Sequence, residues 1–110
     1  MRARPDSDLI VILCTAPDEV TAATLARGLV ETRLCACVNA ISPMKSFYRW
    51  QGKIEADTEV QLVIKTQHSR FDDVAAWLKA NHPYDVPEII ALPAERVSHD
   101  YLEWAIGETS

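Results

Sequence analysis

The sequence predicts a single α+β domain, a ferredoxin-like βαββαβ sandwich with an extra C-terminal helix. Three observations carry that expectation. Segments with helical apolar spacing, Ala22–Val30 and Phe71–Leu78, each lie between segments of strand character. Two long arms meet at Gln51-Gly52 and read as one hairpin. The length, 110 residues, suits one domain and leaves no room for two.

The elements follow in order. Leu9–Cys14 is a continuous apolar run rich in Ile and Val, the pattern of a strand buried on both faces. Thr15 and Asp18 have the spacing of a capping box, and Pro17 and Glu19 suit a first helical turn. Ala22, Leu25, Ala26, Leu29 and Val30 form one stripe at helical period, ending near Arg33 and Leu34. Gly28 inside the stripe costs about 1 kcal/mol relative to Ala, and close approach to a strand would explain it.

Cys35–Gln51 is the first hairpin arm, interrupted at Ser42-Pro43, where the missing N–H demands an edge or a bulge. In the second arm Ile54, Ala56, Thr58, Val60, Leu62, Ile64 and Thr66 alternate with Lys53, Glu55, Asp57, Glu59, Gln61, Val63 and Lys65. An ordinary strand has about 5–6 residues, and each arm is far longer. So short a chain cannot cover that ribbon with its own helices. An uncovered ribbon offers unpaired backbone to another copy, so self-association is expected.

Ser69 and Asp72 form a second cap pair before Phe71, Val74, Ala75 and Leu78. Pro83 makes that helix stop ahead of it, leaving a stiff loop to Pro87. Glu88–Leu92 is a short edge strand ended by Pro93. Ser98 caps a last helix carrying Tyr101, Leu102, Ala105 and Ile106, closed by Gly107. Right-handed crossovers put both long helices on one face of the sheet, leaving the other for a partner or solvent.

Residues 1–8 read as a short polar tail, and 9–110 as the domain. Hydrophobic residues make up 48 % and charged residues 25 %, which is globular and not disordered. The net charge of −5 and the absence of a basic cluster exclude general nucleic-acid binding. No apolar run approaches bilayer length, and no signal-type apolar region follows the tail. The expectation is a cytoplasmic protein without membrane attachment. The odd number of cysteines, three, points to free thiols.

Three clusters can carry chemistry. Cys14 ends the first strand just before a helix N-terminus, which favours a thiolate, and His82 ends the second helix. Together they are a soft donor pair suited to copper or zinc, or else ordinary core side chains. Cys35 and Cys37 point to one side if strand geometry holds, as weak metal donors or as core residues. Ser46, Tyr48 and Trp50 alternate on one arm, and Glu59 and Lys65 share a face of the other. With Tyr84, Glu88, Tyr101 and Trp104 they line either a cleft for a small anionic or polar ligand or a seam between subunits. No hydrolase elbow, phosphate loop, dinucleotide fingerprint or zinc-protease helix occurs, so no enzyme is expected.

Leu13-Cys14-Thr15-Ala16-Pro17-Asp18-Glu19, Cys35-Ala36-Cys37-Val38-Asn39 and Ser46-Phe47-Tyr48-Arg49-Trp50-Gln51-Gly52-Lys53 resemble the CutA divalent-cation tolerance family in order and spacing. His82-Pro83-Tyr84-Asp85-Val86-Pro87-Glu88 and Tyr101-Leu102-Glu103-Trp104 extend the resemblance over nearly the whole chain. It implies a ferredoxin-like subunit in a homotrimer of PII-like architecture that binds and responds to metal ions. It also implies copper, or another divalent cation, at Cys14 and at a His-His pair whose second member is His82. The first member of that pair is Asn81 here, and Val97-Ser98 stands where many members have glycine. An inter-subunit cleft involving Cys37, Asn39, Ser46, Tyr48, Trp50, Glu59, Lys65, Tyr84, Glu88, Tyr101 and Trp104 is the alternative, taking a small molecule or a protein partner.

Overall fold

Alternation along the central strands decides which side of the sheet the helices cover. The computed structural model describes residues 8–110, so the tail expected over residues 1–8 lies outside the described residues apart from Asp8. In chain order come β1 (Leu9–Ala16), α1 (Glu19–Glu31), β2 (Cys37–Trp50) and β3 (Lys53–Gln67). A single 3-10 turn, His68–Arg70, leads into α2 (Phe71–Asn81), β4 (Ile90–Pro93) and α3 (His99–Glu108). The strands form one sheet in the order β2-β3-β1-β4, with every neighbouring pair antiparallel. This is the split βαββαβ order that the sequence predicts.

Even-numbered residues of β1 and β3 point to the helices. Ile12, Leu62 and Ile64 meet Leu25 and Leu29 of α1 and Val74 and Leu78 of α2, all fully buried. Burying a side chain of this size stabilises by about 1.5–3 kcal/mol. The odd-numbered residues Val11, Leu13 and Val63 are only partly buried. β1 is therefore not buried on both faces as its unbroken apolar run suggests. Both long helices lie on one side; on the other, α3 covers only one end of the sheet, packing Ala105 and Leu102 with Leu9 and Ala36.

The caps differ from expectation. Thr15 belongs to β1, and Asp18 alone caps α1, accepting from the Thr21 N–H at 2.7 Å. α1 stops at Glu31, and the chain reverses through Arg33 at φ 63. Ser69 falls in the 3-10 turn, and α2 starts with no side-chain cap. Ser98 precedes α3 without a capping bond. Gly107 lies inside α3, which ends at Glu108 with Thr109 as the residue that caps it. The Thr109 hydroxyl donates to the Ala105 carbonyl at 2.8 Å and accepts from Gln67 at 2.9 Å, tying the helix end to β3.

Gly28 is explained by a helix and not by a strand. A Cβ there would sit 2.5 Å from Cζ2 of Trp77, so the glycine lets the α2 indole lie against the α1 backbone. At the hairpin tip, Gln51 and Gly52 both have positive φ (50 and 79), as a type I′ turn demands. A register shift falls between Ile41 and Met44, at the Ser42-Pro43 interruption. Beyond it the ribbon leaves the helices behind, and Phe47 and Ile54 are 71 % and 73 % exposed.

Candidate functional site

The residues singled out in the sequence separate into two groups at opposite ends of the sheet. Cys14, Glu59, Tyr84, Glu88, Ser46, Tyr48 and Trp50 gather where the loop between α2 and β4 folds over the end of β1. Cys37, Asn39, Lys65 and Tyr101 meet at the other end, with Trp104 beside Tyr101.

In the first group Cys14 and His82 converge on one atom. The Cys14 thiol donates to the Thr15 carbonyl at 3.8 Å, and Nε2 of His82 lies 2.8 Å from the same oxygen. Nδ1 of His82 accepts the Tyr84 backbone N–H at 3.1 Å, so the ring proton sits on Nε2 and is donated to Thr15. β1 supplies the cysteine, and Pro83 supplies the break in α2 that turns the imidazole back over the sheet. Asn81 takes no part: its side chain donates to the Trp77 carbonyl at 2.8 Å.

Cys14 is not the thiolate that a nearby helix N-terminus suggests. Burial, followed by the negative charge of Glu88, pushes its thiol up to about 12. α1 begins only at Glu19, and desolvation outweighs a helix end that far along the chain.

Beyond the Thr15 carbonyl lies a cavity of about 560 Å³. Phe47, Tyr48, Trp50 and Tyr84 form its aromatic walls, and Glu59, Asp85 and Glu88 its charged ones. Glu59 is 7 % exposed, and its Oε2 accepts from the Tyr84 hydroxyl at 2.6 Å. Burial and this bond hold the Tyr84 phenol above its ordinary range. The Tyr48 hydroxyl donates to Asp57, which pushes its phenol up to about 12.

Lys65 does not face this cleft. It pairs with Val11 and Cys37, and its ammonium donates to Asn39. The Glu59–Lys65 separation along β3 is roughly 20 Å at strand rise. Within one chain the shared face therefore leaves Glu59 and Lys65 apart. The two thiols also part. Cys35 is 1 % exposed in the helix-covered core, whereas Cys37 lies on the opposite face beside Asn39 and Tyr101. β2 begins only at Cys37, so strand alternation does not reach Cys35.

Sequence reading passed over Asp85, which lines the cleft from within the loop. It also passed over the exposed trio His99, Asp100 and Glu103 on α3, whose donor atoms lie within 4.8 Å of one another. The i, i+1, i+4 spacing on a helix was the available signal for that trio.

The family model described as CutA1 divalent ion tolerance protein matches residues 10–108. The divalent-cation tolerance protein CutA of Pectobacterium atrosepticum is 47 % identical over 104 residues, covering 94 % of each chain. The solved structure of the divalent cation tolerance protein (Cut A1) from Thermus thermophilus superposes with a TM-score of 0.90 at 44 % identity, covering 93 % of this chain and 99 % of that one. The structure of CutA from Xylella fastidiosa gives 0.92 at 41 % identity, covering 94 % and 100 %. Sequence and fold agree over nearly the full length, and this chain belongs to the CutA1 divalent ion tolerance family.

Proposed function

We propose that this protein is a homotrimeric metal-ion binding and response protein of the cytoplasm, acting in divalent-cation tolerance and holding copper or a similar cation through Cys14 and His82. The observation that carries the reading is the meeting of thiol and imidazole at the Thr15 carbonyl. Sulfur and imidazole suit copper and zinc, so the donor types fit the group. Glu59 and Glu88 act electrostatically on Cys14 and add the negative charge a cation favours. Bound metal would supply the positive charge that draws the thiol proton off. His82 would present a nitrogen only by giving up one of its two present bonds.

The role is binding and not catalysis. A thiol held protonated, beside an imidazole whose Nδ1 already accepts an N–H, is not an activated nucleophile with its base. The trimer is supported by the ribbon beyond the register shift and by the half-open face that carries Val11, Leu13 and Val63. An exposed ribbon of this length invites pairing with other copies.

The test is copper titration of purified protein beside Cys14→Ala and His82→Ala, with mass by light scattering. We expect three 12.3 kDa chains per particle, copper uptake that weakens as pH falls, and loss of uptake in either variant. Unchanged affinity in both variants overturns the site, and a monomer overturns the assembly.

A further inference from the structure

We infer that the Cys14–His82 site holds copper as copper(I) and discriminates against copper(II) and zinc. This choice of ion depends on the metal-binding reading above and adds an oxidation state and a ligand number to it. The number of donors decides it. Among the described residues, the one cluster of three or more His, Cys, Asp or Glu donor atoms lying within 4.8 Å of one another is His99, Asp100 and Glu103 on α3. No third side chain of these kinds therefore joins Cys14 and His82.

Neighbouring polar groups are engaged elsewhere. Asn81, next to His82 in the chain, is exposed and donates its amide N–H to the Trp77 carbonyl at 2.8 Å. Oε2 of Glu59 accepts from the Tyr84 hydroxyl at 2.6 Å. Counting the Thr15 carbonyl that both side chains touch, the site offers a sulfur, an imidazole nitrogen and one hard oxygen.

That set is short for the harder ions. Zinc takes four ligands, and even its open catalytic sites draw three of them from protein side chains. Copper(II) favours a tetragonal set of nitrogens and oxygens. Copper(I) is soft, is selected by thiolate, and is satisfied by a sulfur–nitrogen pair. Binding exchanges the S–H bond of Cys14 for a bond from sulfur to copper and releases the thiol proton to solvent. Burial acts in the same direction. Cys14 is 0 % exposed and His82 8 %. Desolvating an ion costs more the higher its charge, so buried donors favour the singly charged form. Cys14 belongs to the core beneath the helices of one chain, so pairing of the ribbon between copies cannot uncover it.

The test is competition titration of the intact, reduced protein without oxygen, with copper(I) supplied as its acetonitrile complex against the coloured chelator bicinchoninate. Zinc and copper(II) are titrated in parallel against glycine. We expect one copper(I) per chain to be withdrawn from bicinchoninate, and zinc and copper(II) to bind through Cys14 at least about a hundredfold more weakly. X-ray absorption of the loaded protein should show copper(I) with a single sulfur neighbour. Cys14→Ala and His82→Gln should each lose the uptake. Cys37→Ala, which removes the more accessible thiol, should keep it. His82→Gln retains a polar group beside Thr15, so it decides the matter if Cys14→Ala fails to fold. Zinc or copper(II) held through Cys14 and His82 as tightly as copper(I) overturns the inference and leaves the metal site standing. No uptake of copper in either state, or uptake that follows Cys37, overturns both.

Discussion

The two halves of β3 carry the same alternation and meet opposite fates. From Val60 to Thr66 the even-numbered side chains are at most 3 % exposed, packed beneath α1 and α2. From Ile54 to Thr58 the same parity is exposed, with Ile54 at 73 %. Alternation therefore says which side a residue faces and nothing about whether that side is covered. Cover comes from elements whose length and placement are set elsewhere in the chain.

The comparison is broken most forcefully from the covered half. Leu62→Ala should cost about 2–5 kcal/mol in denaturant unfolding, because it leaves a cavity under both helices. A cost below about 1 kcal/mol would mean that the core closes over the gap. Next comes the cover itself. Gly28→Ala gains helix propensity but drives Cβ into the Trp77 ring, so a net loss of about 1–3 kcal/mol is expected. In a Trp77→Ala background the same change should stabilise.

The buried thiols sharpen the contrast through pH. Burial raises Cys14 and Cys35 from 9.0 to about 12. A raised folded value means that the native state keeps protons which the unfolded chain releases. Stability from this source is complete below pH 9 and should fall as pH rises toward 12, read as a declining melting temperature. Thiol reagents near neutral pH should modify Cys37 first, since Cys14 and Cys35 are buried. The smallest effect belongs to the ribbon. Ile54→Ala should cost under about 0.5 kcal/mol at high dilution, as surface changes do, and more at high protein concentration. Equal costs at both concentrations would mean that the ribbon meets no partner.

Much of the fold was legible because it is written in local chemistry. The hairpin turn at Gln51-Gly52, the break at Ser42-Pro43 and the helical stripes each follow from side-chain pattern or backbone freedom. Caps were less legible. Thr15 and Ser69 have suitable side chains, but pairing of β1 through Ala16 and a 3-10 turn claim them first. The candidate site was less legible: Cys14 and His82 stand out by residue type, but their meeting at the Thr15 carbonyl depends on a loop whose path no periodicity encodes. Lys65 shows the opposite case: parity puts it on the face of Glu59, and within one chain distance along the strand, which carries no mark in the pattern, keeps the two apart.

The register shift between Ile41 and Met44 has a consequence for how such a protein can change. It acts as a joint between a root that belongs to the domain and an arm that does not. Residue pairs added to or removed from both strands beyond the joint preserve the parity of every side chain in the root. Reach can therefore lengthen or shorten over generations while the packed domain stays as it is.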